Sequence, residues 1–376
     1  MKNRMCDMFG LEFPIFAFSH CRDVVAAVTN AGGMGVLGAL YFTPEELELE
    51  LRWLDDHCTG KPYGVDIVMP MSSAAKNLES MDIEPENLEA ELEKMIPQEH
   101  RDFVERILEE HHVPPLPSDA PPIKKLIGWT DTGAQSHVEV SFDHPVALMV
   151  NALGLPPKEQ VELCHEKGVR VAALVGRVDQ AVHQVEQGVD IIVAQGNEAG
   201  GHTGDVGSIV LWPEVVDAVS PAPVLAAGGI GTGRQAAAAM ALGCDGVWTG
   251  SIWLTTTEAD TPPAQLDLLL KAGTRDTVRS RALTGKPARQ LRTAWTEAWD
   301  DPKNPDPLPM PLQFLVQAEA RHRIARAGAT ELEIAPVGEI VGRMNHVRPA
   351  KEVVYDLVEG LIDATDSLHS AVHDDA

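Results

Sequence analysis

Apolar residues along this chain fall into short unbroken runs, each entered through a glycine that closes a helix-like stretch. The phrase recurs as NAGGMGVLGA (30–39), EKGVRVAALV (166–175), EQGVDIIVAQ (186–195) and ALGCDGVWTG (241–250). Glycine suits the left-handed position after a helix C-terminus. The runs that follow do not alternate in and out, which marks strands buried on both faces of a helix-covered parallel sheet. Eight strands are expected, at 14–18, 35–38, 64–68, 138–142, 170–174, 190–194, 223–227 and 246–249. Amphipathic helices fit between them at 158–167, 178–187 and 234–242. This alternation favours an α/β fold of the (β/α)8 TIM-barrel type over an open doubly wound sheet.

Two regions depart from the repeat. Residues 76–112 carry four basic against twelve acidic side chains and read as one or two solvated helices, followed by the Pro-rich loop PPLPSDAPP (114–122). The segment 71–136 is therefore expected to be an acidic helical insertion between the first part of the barrel (1–70) and the second (137–262). It reads first as a surface excursion without a catalytic role, with covering the mouth or extending an interface as the alternatives. Residues 263–376 read as a helical C-terminal region with a Pro-rich break at 302–311.

Composition narrows the function. Of 376 residues, 44% are hydrophobic, enough for a large core, and 56 Asp+Glu against 30 Lys+Arg give a formal charge of −26. That balance argues against nucleic acid or an anionic membrane as partner. No apolar run approaches the length of a membrane span, and the first residues, MKNRMCDMFG, lack a signal-peptide core. Five scattered cysteines without a C-x-x-C pair point to a reduced, cytoplasmic protein. The sequence leaves open whether it forms a homo-oligomer.

Barrel chemistry gathers where strands end, with phosphate commonly held after the last two. After the seventh expected strand comes AAGGIGTGRQ, whose Gly228 and Gly229 open a helix suited to a phosphate. The eighth ends in Trp248-Thr249-Gly250-Ser251, with a close backbone approach and a hydroxyl. The spacing fails G-x-G-x-x-G, since Arg234 occupies the third position, so a Rossmann fingerprint is not supported. After the sixth strand, AQGNEAGGHTG (194–204) sets His202 among glycines at the mouth, where a histidine suits proton transfer near neutral pH. No H-E-x-x-H or G-x-S-x-G occurs, and no metal site is expected. Cys21, near the mouth, reads as a small buried residue.

These segments resemble the FMN-dependent nitronate monooxygenase family, formerly the 2-nitropropane dioxygenases. QGNEAGGHTG and PVLAAGGIGTGRQAAAAMALGCDGVWTGS carry the resemblance, supported by NAGGMGVLGA, KPYGVDIVMP, TGKPARQLR (284–292) and PVGEIVG (336–342). The resemblance implies an oxidoreductase that oxidises alkyl nitronates or nitroalkanes with O2, a small-molecule substrate, and noncovalent FMN. His202 falls on the family's base. Asp66, Gln195, Gly200 and Gly201 fall on the flavin-contacting segments, and Gly228, Gly229 and 248–251 on the phosphate turns. The same motifs serve an alternative: an NAD(P)H-dependent flavin reductase or dehydrogenase acting on an enoyl thioester, CoA ester or quinone.

Departures from the family pattern bear on that choice. The first loop is short and reads SHCRD. Asp66 stands where an Asn is usual, and an ionised carboxylate cannot donate a hydrogen bond. GSIWL replaces the commoner GTRFL. His20 and His144 fall at expected strand tips and are substrate-pocket candidates, as is Arg177, which could face the flavin N1–O2 edge.

Overall fold

The structure, a computed structural model, describes residues 1–69, 88–120, 123 and 131–373. Eight parallel strands close into a barrel: β1 (Ile15–Ser19), β2 (Met34–Gly38), β3 (Tyr63–Ile67), β4 (Val146–Asn151), β5 (Arg170–Val175), β6 (Ile191–Gln195), β8 (Val224–Ala227) and β9 (Gly246–Thr249). Closure comes from β9 pairing with β1, Phe16 opposite Trp248. The chain is a (β/α)8 barrel. The two-residue strand β7 (Gly201–His202) lies outside it, joining β11 (Ala288–Leu291) and β10 (Thr277–Ser280) in an antiparallel sheet.

Inside and outside separate by strand alternation. Phe16, Met34, Val36, Leu148, Val150, Ala172, Val193, Leu225 and Trp248 fill the barrel, and Met5, Cys6 and Leu11 plug its N-terminal end. Their neighbours Ile15, Val65, Met149, Val171, Ile192 and Val247 face the surrounding helices. The second interior position of β3, after Gly64, is Asp66, between outward Val65 and Ile67.

The expected strand at 138–142 is wrong. Those residues end the helix Asp131–Phe142, and the fourth strand is VALMVN, Val146–Asn151. Pro145 removes a backbone donor just before this doubly apolar run, so the helix stops there. The acidic helices also differ from the solvated reading. Gln98–Glu110 buries Phe103, Val104, Ile107 and Leu108 in a second core with Trp295, Trp299, Phe314 and Leu315. Within the expected insertion at 71–136, residues 71–87, 121, 122 and 124–130 lie outside the described residues. After residue 262 the chain holds β10 and β11 as well as helices. Its final helix, Ala350–His373, crosses the helix Gly233–Ala241 so closely that a Cβ on Gly233 would meet Gly360 and Leu361 backbone at 2.2–2.3 Å.

Among the described residues no helix is long and apolar enough to cross a membrane.

Candidate active site at the barrel mouth

A concavity of about 550 Å³ lies at the N-terminal face, lined by Arg4, Arg170, Asp190 and Pro221. Another, of about 430 Å³, adjoins the opposite face and is lined by Leu40, Tyr41, Phe314, Arg321, Glu333 and Pro336. Barrel enzymes build chemistry at the C-terminal ends of their strands, so the smaller space is the relevant one. None of the site residues expected from sequence lines it directly; it borders them through Tyr41, whose ring stands beside His20, and through Pro336, next to the Val337 that packs on Gly200.

His202 is placed by the extra sheet. β7 pairs with β11, His202 opposite Ala288, and Nε2 lies 2.7 Å from Thr284 Oγ1. Nδ1 has no partner among the described residues and is not sealed from solvent. Burial, and then the nearby Lys286 ammonium, pull its pKa down to about 4. The imidazole is therefore neutral at neutral pH, with a lone pair to offer. Loss of its anchor should matter: Thr284→Val is expected to lower turnover about tenfold with KM little changed, by loosening the ring. Steady-state kinetics alongside a melting curve separate this from unfolding.

The loop carrying His202 is braced from three sides. A Cβ on Gly200 would stand 2.8 Å from the backbone of Val337 and Gly338, so PVGEIVG packs directly on it. Arg289, 8% exposed, donates to the Asn197 carbonyl at 2.8 Å and to Thr277 Oγ1 at 3.1 Å, and pairs with Glu339 at 3.0 Å. The Glu198 carboxylate accepts from Ser208 N–H and O–H, and Ser208 Oγ also lies 3.2 Å from the Gly228 carbonyl. Ser208 thus ties the β6 loop to the β8 turn.

Gly228 (φ +96°) and Gly229 (φ +70°) both adopt the left-handed region that side chains disfavour. The amides of Gly229, Ile230 and Gly250 donate to no acceptor among the described hydrogen bonds. Ser251 Oγ accepts from Gly338 N–H at 2.9 Å, which leaves its own O–H free to donate. The Thr249 hydroxyl is instead spent on the Phe16 carbonyl at 3.0 Å inside the wall. Trp248 faces inward, stacked on Phe18 at 6.2 Å. Gln195 ends β6 on the interior side, next to outward Ala194.

His20 follows β1 at the mouth. Its Nδ1 lies 2.9 Å from the Gly38 carbonyl, an oxygen that only accepts, so Nδ1 carries the proton and Nε2 a lone pair. Surrounding protein lowers its pKa, the Gly38 bond and Asp260 opposing in part, while solvent still reaches the ring. A group crowded yet reachable lines a concavity, and the Tyr41 ring stands 5.2 Å away.

Two pocket candidates lie elsewhere. His144 precedes β4, at the N-terminal face, because the strand starts after it and not before. It bridges Asp55 at 2.7 Å and Glu48 at 2.9 Å. Burial lowers its pKa, but bonds to Asp55 and Glu48 outweigh that and raise it overall. A raised histidine stabilises the fold fully below its unfolded pKa and loses that contribution as pH rises through the folded value. His144→Gln should therefore cost about 1 kcal/mol near pH 6 and less near pH 9, read from urea melts at both. Arg177 follows β5 but is exposed and bidentate to Asp179, at 2.9 and 2.6 Å. Cys21 is buried, as are the four other cysteines. Among the described residues no cluster of three metal-ligating side chains occurs.

Thr284, Lys286 and Arg289 escaped assignment from sequence although their segment, TGKPARQLR, was noticed; only the β7–β11 pairing connects it to His202.

The nitronate monooxygenase family model matches residues 2–360. A Mycobacterium tuberculosis protein named only as a monooxygenase is 50% identical over 99% of this chain and 100% of its own length. A Staphylococcus aureus protein named as a nitronate monooxygenase is 30% identical over 95% of this chain and 96% of its own. The structure of nitroalkane oxidase from Streptomyces ansochromogenes superposes with a TM-score of 0.79 at 26% identity, covering 97% of this chain and 99% of that one.

Proposed function

Because the chain belongs to the nitronate monooxygenase family, we propose that this oxidoreductase uses FMN to oxidise alkyl nitronates and nitroalkanes with O2, His202 acting as base. One observation carries the reading: a neutral imidazole, anchored by Thr284 at 2.7 Å, opens onto the mouth beside a glycine cradle.

The residues present suit FMN. Left-handed Gly228 and Gly229, with unspent amides at Gly229, Ile230 and Gly250, match the donor set a phosphate dianion needs. The Ser251 hydroxyl adds a donor. Higher in the barrel, Gln195 and Asp66 are polar positions in an otherwise apolar interior, suited to the edge of a flat heterocycle. When bound, FMN supplies the electron-accepting chemistry that no side chain here can. The protein's part is proton handling and placement. His202 Nδ1 accepts the proton on the carbon bearing the nitro group while Nε2–H rests on Thr284. His20 Nε2, also a lone pair, lines the entrance. Trp248 and Phe18 close the floor.

Oxygen uptake tests the reading. The FMN-loaded protein should consume O2 with an alkyl nitronate and no pyridine nucleotide. Oxidation of NAD(P)H coupled to an enoyl thioester or quinone, with no nitronate-driven uptake, would favour the reductase alternative.

A further inference from the structure

Asp66 is an acidic side chain in the barrel interior, and among the described residues nothing pairs with it. It is 5% exposed. Across the strands its register partners are Gly38 on β2 and Val150 on β4, and the interior layer below them is Val36 and Leu148. No side chain or backbone donor reaches its carboxyl among the described hydrogen bonds, and no cation pairs with it among the described ion pairs. His20 packs on Gly38 but spends its one proton on the Gly38 carbonyl. An ionised carboxylate in such a place would be unpaired and desolvated, which costs far more than holding a proton. Burial accordingly pushes this carboxyl well above the usual range.

We infer that Asp66 works as a neutral carboxylic acid whose O–H donates a hydrogen bond to an acceptor atom of the flavin ring. The inference rests on the FMN reading above. It also answers the departure seen in the sequence. An Asn amide donates at this position; an Asp donates equally well when the barrel keeps it protonated, and the exchange then preserves the bond. The free acid has one O–H, and among the described hydrogen bonds no protein acceptor takes it. Gly38, its register partner, has to lack a side chain, because a Cβ there would meet the His20 ring at 2.5 Å and the Phe18 ring at 2.9 Å.

The test combines infrared spectroscopy with FMN titration of the wild type, Asp66→Asn and Asp66→Leu. At pH 7 the wild type should show the carbonyl stretch of a protonated carboxyl that Asp66→Asn lacks, and the band should shift on adding FMN. Asp66→Asn should bind FMN within about threefold of wild type, and Asp66→Leu about tenfold more weakly, the loss of one hydrogen bond. A wild type without the band, or Asp66→Leu binding FMN as tightly as Asp66→Asn, would overturn the inference. A band that is present in a chain binding no FMN would sink the cofactor reading instead, and with it the bond to flavin, while leaving the acid protonated. Circular dichroism of each variant shows whether it is folded.

Discussion

His202→Asn should lower kcat/KM for a neutral nitroalkane by about 10²–10⁴-fold, the range of a lost general base. The same variant should oxidise a pre-formed nitronate far more nearly at the wild-type rate, because a nitronate has already lost the proton in question. The contrast matters more than either number. A purely structural histidine would damage both substrates alike, and a base damages one. The pH profile adds a second readout. With its pKa held at about 4 by burial and by Lys286, His202 carries its lone pair across the neutral range and loses it only as pH falls through that value. The wild-type profile for the nitroalkane should be flat from about pH 6 upward as far as this group is concerned. An unchanged nitroalkane rate in His202→Asn would remove the base from the mechanism.

The second large effect concerns the cradle. Gly229→Val is expected to weaken FMN binding about tenfold. Forcing a β-branched residue to φ near +70° costs about 1–2 kcal/mol, and an amide turned off its phosphate loses a charge-assisted bond of similar size. The variant incurs one or the other, about 1–2 kcal/mol, or roughly tenfold. Space itself is not the obstacle, since a Cβ at Gly229 meets only Glu198 Cβ at 3.6 Å. The folded protein should survive and the flavin site fail. Quenching of flavin fluorescence on titration reads the change directly, and an unaltered dissociation constant would mean the phosphate sits elsewhere.

Much of this architecture was legible in the chain because it repeats. A glycine after a helix, then a strand apolar on both faces, recurs often enough to count out a barrel. The fourth strand failed for a definite reason. Over five residues, VEVSF satisfies a period of two, yet Ala134, Val138 and Ser141 share one buried helical face. Only a longer window distinguishes the two periods. Charge masked the second core in the same way: Phe103, Val104, Ile107 and Leu108 keep helical spacing beneath a strongly acidic outer face. At the mouth, residues contiguous with a strand end were readable as a group. His144 was not, since its placement depended on the misassigned strand. Thr284 could not be read at all, because 82 residues separate it from His202 and only the antiparallel pairing of β7 with β11 brings them together.

Asp66 shows how environment rewrites a residue's chemistry. As a sequence letter it is a carboxylate unable to donate; inside an apolar barrel layer it becomes an acid that can. The acidic surface and the nearly uncharged interior obey the same rule, that a charge persists where water or a partner supports it.

Anaerobic mixing tests the central claim most directly. The purified protein, loaded with FMN and freed of oxygen, is mixed with an alkyl nitronate while the flavin absorbance is followed. The account predicts bleaching by the nitronate alone, with the colour returning when air is admitted. A protein that takes up no FMN, or a bound flavin bleached by NAD(P)H and untouched by the nitronate, would contradict it.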